Sequence, residues 1–149
     1  MTPDFVFSVV NALALPAWLL LIFLPYAPLT RKVVHSGVYS AIFGILYALL
    51  LIGLVNNADT SAGFDSIAGL RTLFSSDWAL LTGWVHYLAF DILAGSWVVR
   101  HNEQSRISGI MLGFSLFFTF ISGPFGLILY LAARTLSIRL RVQPKNIVE

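Results

Sequence analysis

In 149 residues the chain carries 58% hydrophobic and only 11% charged side chains, more apolar surface than a soluble domain of this size can hide. The net charge is only +2, and the basic residues stand near the ends of apolar runs, so the pI of about 9.2 reads as membrane flanking and nucleic acid is excluded as a partner. Cysteine is absent, which excludes disulfides, thiolate nucleophiles, cysteine-ligated zinc and iron–sulfur clusters.

Met1 to Asp4 lack the basic segment of a signal peptide, so the first apolar run, residues 5–26, is expected to stay as a membrane span. About 22 residues of helix reach roughly 33 Å, enough for a hydrocarbon core. Asn11 and Pro16 interrupt the run, Pro16 freeing the carbonyl of Ala12 and predicting a bend, and Pro25 and Pro28 end it. After the basic turn Thr30-Arg31-Lys32, residues 38–55 form a second run near the lower length limit for a span, closed by Asn56, Asn57 and Asp59.

Phe64, Ile67, Leu70 and Phe74 then recur at helical spacing among Asp65, Ser66 and Arg71, which predicts a short helix lying in the membrane interface. Ser75 or Ser76 is the expected N-cap of a third run, residues 78–99, with Asp77 in its first turn where a carboxylate suits the dipole. The fourth run, residues 110–133, is broken by Ser122-Gly123-Pro124-Phe125-Gly126, predicting a kink or local unwinding at mid-membrane. A basic tail with Arg134, Arg139, Arg141 and Lys145 follows.

The fold class expected is all-α: one integral membrane domain over residues 1–149, a bundle of four transmembrane helices, multi-pass in a bacterial inner membrane or its equivalent. Membrane lipid is its first partner, and a homo-oligomer is left open. Four spans put both termini on one side, where Arg71 and the tail supply five Lys/Arg against Arg31, Lys32, Arg100 and Arg106 on the other, so orientation is undecided.

The third run is the most informative because it holds His86, Tyr87 and Asp91 within apolar sequence. An ionised Asp at mid-membrane costs about 2.5 kcal/mol or more, so Asp91 is expected to face the bundle, hydrogen-bond a partner or be protonated. At about 100° per residue, Trp84, Tyr87, Asp91 and Gly95 share one helix face, while His86, Phe90 and Trp97 share another, with a groove expected between them. His86 and Asp91 stand about 7.5 Å apart along the axis, too far to pair directly but able to flank one ligand as acid and base.

Each of these residues also has a plain packing reading. Asp91 can bond Asn11, Tyr47 or Tyr130 across helices, His86 can serve as interhelical glue, and Trp78, Trp84 and Trp97 fit an aromatic belt. The break at Gly123-Pro124 can allow close helix packing, or can offer unwound backbone opposite Asp91 to a polar group of a lipid-like ligand. A metal needs three or four ligands, and of the set His35, His86, His101 and Asp91 two stand at membrane edges, so no metal site is predicted and no cofactor is identified. Both lysines, Lys32 and Lys145, lie outside the apolar runs, which disfavours a retinal Schiff base.

Four segments carry a resemblance: Leu15-Pro16-Ala17-Trp18, Asp77-Trp78-Ala79-Leu80-Leu81, the stretch from Gly83 to Asp91 with its Trp-x-His-x4-Asp pattern, and Gly123-Pro124-Phe125-Gly126-Leu127. In these the chain resembles the ABA4-like family, known from a plant plastid membrane protein needed for neoxanthin formation and from bacterial relatives. The resemblance implies a carotenoid or related isoprenoid ligand and an isomerisation that opens an epoxide and removes a carbon-bound proton. Asp91 or His86 would then protonate the oxygen and the other accept the proton; a metal-dependent variant would cleave oxidatively. Ser96 and Tyr130 stand where the plant branch has Arg and His, so the resemblance implies a bacterial-type member acting on another carotenoid or a retinoid. The residues expected to contact the ligand are Trp84, Tyr87, Phe90, Gly95, Trp97, Pro124 and Tyr130. The alternative functions are a non-catalytic holder of carotenoid or lipid, or an assembly partner, and a purely structural bundle.

Overall fold

The computed structural model describes residues 1–56, 63–105 and 107–142, with side chains to residue 140. Asn57, Asp59, Arg106, Lys145 and the side chain of Arg141, given flanking or closing roles above, lie outside the described residues. Helix α1 (Pro3–Phe23) starts where Thr2, in extended conformation, accepts the amide of Phe5 at 3.4 Å, with Pro3 in the first turn and Asp4 beside it against the dipole. It is one uninterrupted helix through Pro16. The chain turns back before a single turn, α2 (Pro28–Thr30), and a π-helical turn over Arg31–His35, which lead to Gly37, whose φ of 84° suits glycine and which caps α3 (Val38–Val55).

The short helix expected next is α4 (Ile67–Leu73), capped by the Ser66 hydroxyl on the Gly69 amide at 3.0 Å. Ser76 caps α5 (Asp77–Ser105) by accepting the amide of Ala79 at 3.2 Å, so the second of the two expected serines does the work. Ser108 caps α6 (Gly109–Ser122), and α7 (Pro124–Val142) follows after one residue. No strand occurs among the described residues.

Helix α5 is the axis of the molecule, packing against α1, α3, α6 and α7. Its polar residues Thr82, Asp91, Ser96, Asn102 and Ser105 are buried, so its inward faces carry the groups that lipid would exclude. Helix α1 runs parallel to it: Phe7 meets Trp84, Trp18 and Leu21 flank Gly95, and Asn102 donates to the Tyr26 hydroxyl at 2.9 Å. Helix α3 runs antiparallel, from His35 at the level of Ser96 to Tyr47 beside His86.

Residues 110–133 do not form one span. The chain folds back at Gly123, so α6 and α7 are the two arms of a hairpin. Helix α6 descends along α5 from Ile107, whose amide is held by Asn102 Oδ1 at 3.0 Å, to Ile121, whose carbonyl accepts the Tyr87 hydroxyl at 3.2 Å. Helix α7 returns beside it, from Gly123 against Asp91 to Tyr130, which shares a 2.8 Å hydrogen bond with His101, and Arg134, which donates to Ser105 at 2.9 Å. Pro124 has no amide to continue the α6 ladder, Gly123 adopts a φ of 32°, and a Cβ at Gly126 would strike the Ser115 carbonyl and the Thr119 amide. The break predicted as a kink is therefore a reversal, made by backbone-to-backbone contact that only glycine permits.

Among the described residues two helical stretches, Pro3–Phe23 and Pro28–Val55, are long and apolar enough to cross a membrane, and Gly109–Ser122 is apolar but shorter.

Candidate functional site

Asp91 lies midway along α5, where it is 7% exposed, and its Oδ2 has no hydrogen-bond partner. Burying an unpartnered polar atom costs about 1–3 kcal/mol, so the group calls for a reason beyond packing. The tip of the α6–α7 hairpin presses on this carboxyl: a Cβ at Gly123 would meet Oδ1, and would stand 3.1 Å from Cγ and 3.2 Å from Oδ2. The first amides of α7 have no acceptor within their own helix, and the positive end of its dipole lies on the Asp91 side.

Tyr87, one turn earlier on the same face, interacts with the Asp91 carboxyl and donates its hydroxyl to the Ile121 carbonyl. It also stacks on Trp84 with ring centroids 5.4 Å apart, and the Trp84 indole donates to Asn11 Oδ1 at 3.1 Å. Trp84, Tyr87, Asn11, Ala14, Phe120 and Ile121 line a cleft of about 320 Å³ between α1, α5 and α6. Asp91 does not itself line this cleft; it is linked to it through Tyr87, and the hairpin tip lies against its carboxyl.

His86 faces a different wall. Its ring lies 5.1 Å from that of Tyr47 and 4.7 Å from that of Phe90, and it lines a cavity of about 310 Å³ between α3, α4 and α5 together with Thr82, Gly83 and Phe74. The structure thus does not bring His86 and Asp91 to one groove: the two faces of α5 are covered by different neighbours.

The remaining expected residues divide in the same way. Pro124 stands at the hairpin tip, next to the glycine that touches Asp91. Phe90 belongs to the His86 side. Gly95 is a packing residue, its missing Cβ leaving room for Trp18 and Leu21, each of which would stand 3.1 Å from it. Trp97 and Tyr130 form a separate cluster with His101 near the end of α5, Trp97 stacking on His101 at 4.6 Å.

Tyr87, on the same helix, is the side chain that interacts with the Asp91 carboxyl, and the three partners expected across helices have contacts of their own. Asn11 is taken by Trp84, Tyr47 by the His86 ring, and Tyr130 by His101. His35 is also committed, donating from Nε2 to the Pro25 carbonyl at 2.8 Å and sharing a hydrogen bond between Nδ1 and the Ser96 hydroxyl at 2.9 Å. Among the described residues no three His, Cys, Asp or Glu side chains gather closely enough to hold a metal ion. The Gly123-Pro124 break expected opposite Asp91 does lie against it, and one participant escapes the sequence reading, the Ile121 carbonyl; its signal is the Gly-Pro pair, which leaves carbonyls at the end of the preceding helix without amide donors.

The ABA DEFICIENT 4-like family matches residues 5–130, a stretch that contains both cavities and the hairpin tip. The chain belongs to the ABA4-like family. The chloroplastic protein ABA DEFICIENT 4 of Arabidopsis thaliana is 30% identical over 108 residues, which are 68% of this chain and 49% of that protein. The ABA4-like chain described here thus spans about half the length of that relative. No solved structure matches it. What its site offers chemically is one buried carboxyl oxygen without a hydrogen-bond partner, a phenol beside that carboxyl, and an aromatic-walled cleft lined by the phenol.

Proposed function

We propose that this ABA4-like chain is a multi-pass membrane protein that acts on a carotenoid or related isoprenoid within the bilayer by acid–base isomerisation at Asp91, with Tyr87 as its partner. The observation that carries this reading is the buried, unpartnered Oδ2 of Asp91, left bare while Asn11, Tyr47 and Tyr130 are engaged elsewhere. Family membership supplies the ligand class, through the role of the plant branch in neoxanthin formation. The cleft beside Tyr87 lies between helices whose outer faces are apolar, so an isoprenoid dissolved in lipid reaches it without crossing water. In an isomerisation no atom is gained or lost: a carboxyl delivers a proton to the substrate oxygen, a base takes one from carbon, and the phenol can relay between them. His86, in its own cavity on the other side of α5, is not assigned to proton transfer in this reading.

A second reading, a non-catalytic holder of the same ligand, is favoured by the cavity around His86, whose lining is mostly apolar. The two separate in carotenoid-producing cells expressing the parent, Asp91→Asn, Tyr87→Phe and His86→Ala, with pigments profiled by chromatography. Isomerisation predicts a new pigment with the parent, a loss of about 10²-fold or more with Asp91→Asn, and continued conversion with His86→Ala. Coloured protein in mild detergent with an unchanged pigment profile selects the holder; an unchanged profile and colourless protein defeat both.

A further inference from the structure

We infer that the chain crosses the membrane three times, with α6 and α7 entering and leaving by one face as a re-entrant hairpin. Its termini then lie on opposite sides, and its basic end sits on the anionic cytoplasmic leaflet. This rests on the membrane reading just proposed but on neither the ligand nor the reaction.

Length and depth carry the first half. Helix α6 has 14 residues, about 21 Å, which falls short of a hydrocarbon core of about 30 Å. Its end at Ile121 reaches Tyr87, and Gly123 touches Asp91 midway along the 29-residue α5, so the tip stops at half depth. By Arg134 the chain is back at the level of Ser105, where the hairpin began. Non-helical backbone at membrane depth is tolerated where protein covers it, and the turn residue Gly123 is buried against Asp91 while Ser122 and Pro124 beside it are exposed. Helices α1, α3 and α5, alternating in direction, are then the crossings.

Charge carries the second half. Among the described residues, Arg31, Lys32, Arg100, Arg134 and Arg139 fall at the end where α5 finishes, Arg31 being tied to Glu103 at 2.9 Å. Arg71 is the one Lys or Arg among the described residues at the other end, which also carries Asp4, Asp65 and Asp77. Four crossings would place Arg139 with Arg71 and leave the two sides nearly balanced; the hairpin gathers the cations at one end, and a Lys/Arg excess of that kind sets orientation and fits anionic headgroups.

The absence of cysteine makes the test direct. Single variants Thr2→Cys, Gln104→Cys, Ser137→Cys and Ser122→Cys are treated with a membrane-impermeant maleimide in spheroplasts and in inside-out vesicles. The expected pattern is Thr2→Cys labelled only in spheroplasts, Gln104→Cys and Ser137→Cys only in inside-out vesicles, and Ser122→Cys in neither until detergent is added. Ser137→Cys labelled from the same side as Thr2→Cys overturns the hairpin, and Thr2→Cys labelled from the cytoplasmic side overturns the orientation. Recovery of the parent in the soluble fraction instead defeats the membrane reading itself, whereas a negative pigment assay leaves the topology standing.

Discussion

Asp91 and Gly123 are two ends of one contact. Oδ2 of the carboxyl has no hydrogen-bond partner while Tyr87 interacts with the carboxyl from the same helix, and the glycine is required because the reversal needs a positive φ and no Cβ. Gly123→Ala is therefore expected to destabilise the protein by about 1–3 kcal/mol from backbone strain, and by more where the new methyl meets the carboxyl. Pairing it with Asp91→Ala removes the steric part, so thermal melts in mild detergent should show the double variant losing less than the sum of the single losses, by at least about 0.5 kcal/mol. Strict additivity would mean that the hairpin tip does not press on Asp91. The residue types and spacing on α5 mark Asp91, Tyr87 and Trp84 as one face before any coordinates are known, and the structure keeps them together. Which neighbour covers that face is decided by contacts between distant parts of the chain, and His86 parts from Asp91 for that reason.

At the scale of elements, the limits of α3 at residues 38 and 55 and the serine cap of α5 follow from local composition and capping chemistry, so the sequence reading and the structure agree there. The reversal at Gly123 is different. No charged residue interrupts residues 110 to 133, and a kinked span and a hairpin share the same local Gly-Pro signal; they differ in whether Gly126 meets Ser115 and Thr119. That contact is also what a substitution probes. The atoms facing Gly126 include backbone that cannot give way, so Gly126→Ala should cost about 2 kcal/mol or more, by overpacking. Gly113→Ala in the same hairpin has nothing within 4 Å of its new methyl and should be neutral or stabilising, by up to about 1 kcal/mol of helix propensity. Equal effects of the two in thermal melts would show that α6 and α7 do not close on each other.

The molecule as a whole turns its apolar side chains outward as well as inward. Ile110 is 90% exposed, and Phe23, Ile45 and Leu49 are exposed on α1 and α3, while the Arg31–Glu103 bridge lies in the open, where such pairs add little. In water this surface drives association; in lipid it is the surface that needs no partner. The distinction is depth-dependent and can be measured on α3, whose outer face carries Ile45 near its middle and whose end carries Asn56. An Asp at the centre of a span costs about 3 kcal/mol on the insertion scale, whereas one at the boundary stays in water. Ile45→Asp is therefore expected to lower the fraction of chains in which α3 crosses, in an assay that scores insertion by glycosylation of an engineered site, and Asn56→Asp is expected to leave it unchanged. Insertion of Ile45→Asp equal to that of the parent would place the outer face of α3 away from lipid, and the bundle would then need another covering for its apolar surface.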